Sequence, residues 1–247
     1  MMYERSSRPM TKSSRVQVGV AMTVMFSASA RRLGILSASV SVVLSVAYTI
    51  TLAVALLSLP SPQEPIGDPY LPVLEILIIV TTPLIVAMMV SVHAWASPET
   101  KVFSLMALVF MSMLAALTCS LHFVILTVSR QAVFTEQSWL PLFLGWKWPS
   151  IGYALDIVAW DVIFPLAVFS AAPVFSGNRL ATSIRVLLIV SGVLAVGGLS
   201  GVVANDMQLR NIGILGYGVV FPVGTLLLAV LFYRATPASP SYDSAMV

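Results

Sequence analysis

Six long apolar stretches constrain this chain more than any other feature of its sequence. A helix needs about 20 apolar residues to cross the roughly 30 Å hydrocarbon layer of a bilayer, because each residue adds about 1.5 Å. The stretches lie at residues 33–59, 72–96, 102–129, 150–175, 186–204 and 212–233. None alternates as a barrel strand does, and lipid offers no partner to open backbone groups. The sequence therefore predicts an all-α, polytopic transmembrane bundle of six spans.

Composition supports a lipid environment and excludes several function classes. Hydrophobic residues make up 58% of the chain and charged residues 9%, whereas a soluble domain has roughly 25% charged residues. The net charge is +3, but the basic residues are scattered between apolar blocks. We therefore expect the bilayer, and no nucleic acid, as the partner. Cys119 is the only cysteine, which excludes an intramolecular disulfide.

The connections divide the chain into three parts. A basic extension is predicted at residues 1–32, the transmembrane domain at 33–234 and a disordered tail at 235–247, which has too little apolar material to fold alone. The connection at 130–149 carries three tryptophans and a lysine, which is typical of a segment lying along a membrane interface.

The basic residues also predict the orientation. Ten of the thirteen Lys and Arg residues fall on the side of the two termini, and only Arg130, Lys147 and Arg210 fall on the other side. The positive-inside rule then places both termini in the cytoplasm.

A signal peptide is the main alternative for the first 30 residues, because Arg15 precedes a modest apolar run at 16–26. The run is short, and two arginines follow the candidate cleavage site, so a cytoplasmic extension is favoured. Translation that begins at Met22 or Met25 is a further alternative.

Prolines fall near the middle of spans two, four and six, at Pro83, Pro165 and Pro222. Each proline removes an internal hydrogen bond and favours a kink, so kinks at similar depth predict a widened cavity among these helices. The alternative is that proline is simply more frequent in membrane helices than in soluble ones.

Span five carries a small-xxx-small face at Gly197 and Gly201, which lets another helix approach closely. Packing within one chain is favoured, with Gly213, Gly216 and Gly218 of span six as the receiving surface. An oligomer formed through the Gly197 and Gly201 face is the alternative.

Ionisable residues at membrane depth are the main functional signal, because each carries an insertion cost of about 2.5 to 3.5 kcal/mol. Counting about 1.5 Å per residue places Glu75, His122 and Asp156 at roughly 10 to 13 Å above the midplane, with Tyr217 nearby. We therefore hypothesise an outward-opening polar pocket, with Asp161 beneath it and nearer the midplane.

Within span four, Tyr153, Asp156 and Trp160 share one helical face by their i, i+3, i+7 spacing, while Asp161 points elsewhere. The candidate ligand- or proton-binding residues are Glu75, His122, Asp156, Asp161, Tyr217, Tyr153 and Trp160.

Carboxylates near an imidazole can bind a cation, relay protons or engage a basic substrate. The alternative is structural: Glu75 reaches the headgroup layer, His122 satisfies a backbone carbonyl and the aspartates pair with neighbours. His93 lies near the cytoplasmic end, more than about 20 Å from His122 along the normal, so the two histidines cannot both bind one haem.

Catalytic motifs give no further assignment. A Walker loop, an HExxH motif, a GxSxG turn and a dinucleotide-binding glycine fingerprint are all missing from the sequence. A single histidine with two acids provides fewer ligands than most zinc sites. No metal site is predicted, the cofactor is unknown and catalytic residues are not assigned.

The segment from Tyr153 to Asp161, followed by residues 171–175, resembles a stretch found in uncharacterised multi-pass bacterial membrane proteins. The resemblance covers mainly span four and implies a bacterial inner-membrane location, without an activity. The leading hypothesis is a protein that binds or transports a small solute, with proton coupling, and that is not an enzyme. The alternatives are a membrane enzyme acting on lipid or a quinone-like molecule, and a noncatalytic sensor or assembly subunit.

Overall fold

The computed structural model describes residues 26–61 and 64–236. The helices in this part of the chain are α1 (Ala28–Leu57), α2 (Tyr70–Trp95), α3 (Lys101–Thr127), α4 (Ala132–Thr135), α5 (Leu140–Leu144), α6 (Ile151–Ile157), α7 (Phe164–Ala171), α8 (Arg179–Ala204), α9 (Met207–Leu215) and α10 (Phe221–Arg234). Six helical segments among the described residues are long and apolar enough to cross a membrane. Spans one to three are α1 to α3, span four joins α6 and α7, span five is α8, and span six joins α9 and α10. The predicted all-α, six-span bundle is confirmed.

Spans five and six begin earlier than their apolar composition predicts. Helix α8 begins at Arg179 and α9 at Met207, before the expected starts at residues 186 and 212. Each helix is capped by a polar side chain: Asn178 accepts a hydrogen bond from a backbone N–H in the first turn of α8, and Asp206 does the same for α9. Such caps begin a helix among polar residues, where an apolar window does not detect it.

The first helix also begins before residue 33. Ser27 caps α1 by accepting a hydrogen bond from the Ala30 N–H at 3.1 Å, so residues 28–32 belong to the helix. The predicted extension before residue 26, most of the signal-peptide alternative and the predicted disordered tail from residue 237 onward lie outside the described residues.

The six spans form a closed ring. Helix α1 packs against α2 and α10, α3 packs against α2 and α7, and α8 packs against α7, α9 and α10. Span four is the most buried span and α1 the least buried. The core side chains with the least exposure include Met88, Met111, Leu114, Phe164, Leu188 and Leu228.

Spans four and six share a local structure that the proline positions only partly predict. A π-helical segment at Val158–Ile163 precedes α7, and another at Gly216–Val220 precedes α10. In both spans the π-helical segment leads into a Phe-Pro pair, Phe164-Pro165 and Phe221-Pro222. Because proline has no N–H, a widened turn before it accommodates the broken hydrogen-bond pattern.

Equivalent residues in these two π-helical segments, and directly after them, contact each other. The rings of Trp160 and Tyr217 lie 5.1 Å apart, and those of Phe164 and Phe221 lie 5.1 Å apart. Aromatic rings therefore fill the space between the kinks of spans four and six, and a widened cavity among spans two, four and six stays a prediction. Pro83 differs, because α2 continues through it as an α-helix.

Spans five and six form a tight hairpin. The two-residue connection places Asn205 at φ 53°, in the left-handed region. A Cβ on Gly201 would lie 2.7 Å from the Arg210 backbone nitrogen, and one on Gly198 would lie 3.0 Å from the Gly213 Cα. The glycines thus let α8 and α9 pack closely within one chain.

The remaining glycines of the predicted faces differ in whether another span packs against them. Gly216 receives Ser191, whose hydroxyl donates to the Gly216 carbonyl at 2.8 Å, whereas the nearest neighbour of a Cβ on Gly218 belongs to Ile214 of its own span. Gly197 is only partly buried. Use of the Gly197 and Gly201 face in an oligomer stays a prediction.

Candidate functional site

Five ionisable side chains from spans two, three, four and six meet in one network. We call this network the outer cluster, and its members are Glu75, His122, Asp156, Asp161 and Arg210. Four of the five have at most 5% exposure, and the Asp156 side chain has 13%. Such groups are rare inside a membrane bundle unless they pair with one another, and here they do.

Glu75 and His122 form the first link. Glu75 is on α2 and His122 on α3, and the Glu75 Oε2 and His122 Nδ1 atoms lie 2.6 Å apart. The other Glu75 oxygen accepts a hydrogen bond from the Trp146 indole N–H at 2.7 Å. Both carboxylate oxygens of a buried glutamate are therefore satisfied, one by a neighbouring span and one by the connection before span four.

Asp156 joins this pair to span six. Its Oδ1 atom lies 3.7 Å from the His122 Nε2 atom, which is within ion-pair range but too long for a direct hydrogen bond. Its Oδ2 atom accepts a hydrogen bond from an Arg210 terminal nitrogen at 2.7 Å. Asp156 is thus the link between the imidazole and the guanidinium.

Arg210 is the functional candidate that the sequence reasoning missed. It was counted among the basic residues outside the spans, but α9 begins at Met207 and carries Arg210 into the bundle, where its exposure is 4%. Its guanidinium also lies over the Tyr153 ring, 4.6 Å from the centroid. A signal was present: Asp206 is a helix N-cap residue type, and a helix that begins there places Arg210 one turn inside.

Asp161 shares the Arg210 guanidinium with Asp156, which corrects the expectation that it points elsewhere. Its Oδ2 atom accepts from the Arg210 Nε at 3.2 Å. The reason is the π-helical segment: residues five positions apart diverge around an α-helix but return to one side where the hydrogen bonds run from i to i+5. The spacing of 156 and 161 matches that wider turn.

The second oxygen of Asp161 has no hydrogen-bond donor among the described residues. The side chain is fully buried, and this Oδ1 atom lies against Gly198 and Gly213, where a Cβ would collide with it. An ionised carboxylate oxygen that lacks a donor in such a place is costly. The Oδ1 atom of Asp161 therefore lacks the compensation that Arg210 gives to the Oδ2 atom.

The charges of the outer cluster do not balance. Three carboxyl groups face one guanidinium and one imidazole, so one negative charge is uncompensated when all three carboxyl groups are ionised and the imidazole is protonated. One added proton on a carboxyl group would balance the charges of the outer cluster.

Aromatic side chains cover the outer cluster. The Trp146 ring lies 5.0 Å from the His122 ring, and Tyr153 lies 6.4 Å from both Trp146 and Trp148. The sequence predicted an outward-opening pocket at this level. The structure brings the polar groups of this level together beneath the tryptophans of the connection, and their opening toward the outside stays a prediction.

The other predicted site residues, Trp160 and Tyr217, lie beside the network. Their rings are in contact and tilted by 39°, and Phe164 packs against both rings. The structure thus brings Glu75, His122 and Asp156 together, as the depth estimate predicted. Their part in binding a ligand or a proton stays a prediction.

His93 belongs to a separate group, which we call the inner group and which consists of His93, Lys101 and Ser104. The His93 Nδ1 atom lies 2.8 Å from the Ser104 hydroxyl, and the Lys101 ammonium donates to the His93 carbonyl at 2.5 Å. Ser104 and His122 are both on α3, about 27 Å apart along the helix axis. The two histidines therefore lie in different layers of the bundle.

Two further observations concern metal binding and the surface outside the spans. The described residues contain no group of three or more His, Cys, Asp or Glu side chains arranged to hold a metal ion. Outside the spans, Arg130 donates two hydrogen bonds to Asp68, at 2.7 and 2.8 Å, and this pairing lowers the pKa of the Asp68 carboxyl below its ordinary value. That pair connects the segments before α2 and after α3 at the surface.

No family model, curated protein or solved structure matches this chain. The resemblance in segment 153–175 to bacterial membrane proteins stays a prediction.

Proposed function

We propose that this chain is a multi-pass membrane protein in which protonation of the outer cluster is coupled to the binding or passage of a small solute. The observation that carries the proposal is the buried network of three carboxyl groups around one guanidinium and one imidazole. Ionisable groups at this depth commonly mark ion pathways and proton relays. The span-four resemblance supports a location in a bacterial inner membrane, and the distribution of basic residues supports cytoplasmic termini.

Protonation acts on the contacts that hold the outer ends of spans four and six together. Asp156 is on α6 and Arg210 is on α9, and each short helix ends at a π-helical segment. A proton on Asp156 or Asp161 removes one negative charge that holds the guanidinium. The two outer half-helices then lose part of their mutual attraction and can separate at the π-helical segments, which often serve functional sites.

Transport or binding fits the network better than catalysis. Glu75 hydrogen-bonds to the imidazole and to Trp146, and Asp156 accepts from Arg210, so the groups that could exchange a proton are held by one another and by the protein. The enzyme and sensor alternatives gain no specific observation from the site.

The chain contains only two histidines, which allows a direct test of proton linkage. The full chain, labelled with ¹⁵N-histidine and placed in nanodiscs, is titrated by NMR as wild type and as Asp161→Asn. Asp161 reaches His122 only through Arg210 and Asp156, so the substitution is expected to displace the His122 titration and leave the His93 signals unchanged. A His122 titration identical to that of the wild type would contradict a shared proton-binding network.

Coupling to a solute needs a second assay. Proteoliposomes that enclose a pH-sensitive dye are exposed to a panel of small amines, amino acids and monocarboxylates. We expect one class to drive proton movement in the wild type and in His93→Gln, and Asp156→Asn to abolish it. Proton movement that survives Asp156→Asn would remove this acid from the mechanism.

A further inference from the structure

A second polar site lies at the opposite end of the bundle from the outer cluster. Helices α2 and α10 end there and α8 begins there, and a crevice of about 490 Å³ opens between them. Its polar side is formed by Asn178, Arg179 and Arg234, and its apolar side by Trp95, Leu180 and Leu231. The site therefore combines two cations with an apolar wall.

The two guanidiniums of this crevice are available to a ligand. Arg179 and Arg234 are exposed, and neither forms an ion pair with a carboxylate of the described residues. A neighbouring arginine shows the contrast: Arg31 donates to the carbonyl oxygens of Phe232 and Tyr233, at 3.0 and 2.6 Å, and so satisfies the end of α10. Two cations thus face one crevice without an anion from the described residues.

The position of the crevice indicates that an anion bound there would come from a lipid headgroup. Helix α8 has 26 residues and is about 39 Å long, which exceeds the roughly 30 Å hydrocarbon layer. Centred on that layer, α8 extends about 4 Å beyond it at each end, so its first residue is expected at headgroup level. Trp95, which stacks on Phe175 at 5.7 Å, is the kind of amphipathic ring found at that level.

We propose that this crevice binds the phosphate of an anionic phospholipid, with Arg179 and Arg234 holding the headgroup and an acyl chain lying along Leu180 and Leu231. Guanidinium pairs match phosphate oxygens in bidentate geometry. Basic pockets between transmembrane helices bind such headgroups. This site is independent of the outer cluster and of the proposed function.

Native mass spectrometry of the full chain tests the proposal, with equal amounts of phosphatidylglycerol and phosphatidylcholine supplied. The wild type is expected to retain one phosphatidylglycerol. Arg179→Gln and Arg234→Gln are each expected to weaken retention about tenfold, as the loss of one charge-assisted hydrogen bond predicts. Arg185→Gln removes the same charge from an exposed position of α8 outside the crevice and should keep the lipid bound.

Three results would overturn the proposal: equal retention of the two lipids, an equal loss in Arg185→Gln, or displacement of the lipid by inorganic phosphate alone. Thermal unfolding of each variant verifies that the exposed substitutions leave the fold intact. As a second readout, brominated phosphatidylglycerol should quench Trp95 fluorescence in the wild type. Quenching that persists unchanged in Trp95→Phe, or in the Arg179→Gln, Arg234→Gln double variant, would also contradict the site.

Discussion

The two histidines of this chain bridge the same two helices at opposite ends, in opposite surroundings. At the outer end, His122 of α3 reaches Glu75 of α2 and has a second carboxylate nearby. At the inner end, His93 of α2 reaches only the hydroxyl of Ser104 on α3. His122 is 5% exposed, and His93 is partly exposed. The difference shows that the partners, and not the residue type, decide which histidine belongs to a charged network.

The network makes the outer end of α2 and α3 more sensitive to substitution than the inner end. Removal of one partner from a buried ion pair leaves an uncompensated charge, which costs about 3–5 kcal/mol. Loss of a neutral hydrogen bond costs about 0.5–1.5 kcal/mol. Substitutions in the outer cluster are therefore expected to lower the free energy of unfolding more than matched substitutions in the inner group.

The largest effect is expected for Arg210→Met. The substitution leaves Asp156 and Asp161 without their shared guanidinium and should lower the free energy of unfolding by about 3–5 kcal/mol. Unfolding in mixed detergent micelles measures this value. Arg185→Met, at an exposed position of α8, is the matched control and should change little. Equal stability of the two variants would show that the buried guanidinium is not needed to hold spans four and six together.

The same substitution at both histidines compares the two ends directly. His122→Gln removes a group that contacts two carboxylates and should cost about 1.5–3 kcal/mol, the range for hydrogen bonds to charged groups. His93→Gln should cost about 0.5–1.5 kcal/mol, because its side-chain partner is a hydroxyl. The free energies of unfolding of the two variants provide the measurement. A larger loss at His93 would reverse the order of the two ends.

A glycine pair tests how tightly the helices enclose Asp161. A Cβ on Gly198 would lie 2.8 Å from the Asp161 Oδ1 atom, so Gly198→Ala must displace either the carboxyl group or α9. We expect a loss of about 1–3 kcal/mol, as for other overpacked cores. Gly218→Ala is the control, because its Cβ would meet nothing closer than 3.6 Å. If Gly198→Ala is as stable as Gly218→Ala, the enclosure of Asp161 is looser than its contacts indicate.

The depth of the polar residues was predictable from the sequence because helical rise is nearly constant. Counting residues along each span placed Glu75, His122 and Asp156 in one layer, and the structure places them in contact. The six spans were predictable for a related reason, since the length and apolarity of a helix must match the bilayer.

Direction around the helix was not predictable in the same way. Asp161 was expected to point away from Asp156, but the π-helical segment changes the angular spacing and brings both acids to Arg210. Arg210 itself was missed because a polar N-cap, not an apolar window, begins α9. Trp146 was placed at the interface, but its hydrogen bond to Glu75 depends on the path of the connection. These features are tertiary, so a residue count along single spans does not contain them.

The smallest change in stability is expected for the exposed pair of Asp68 and Arg130, which lies outside the bundle. Both side chains face solvent, where screening and side-chain entropy offset most of the attraction. Asp68→Asn should therefore change stability less than any substitution above, and added salt should remove the difference. Because Arg130 lowers the pKa of Asp68, the contribution of the pair is present above the ordinary carboxyl value of 3.8 and is lost as the pH falls below it. Unfolding of wild type and Asp68→Asn at neutral and acidic pH measures this. A difference that persists at acidic pH and high salt would assign the pair a role beyond surface electrostatics.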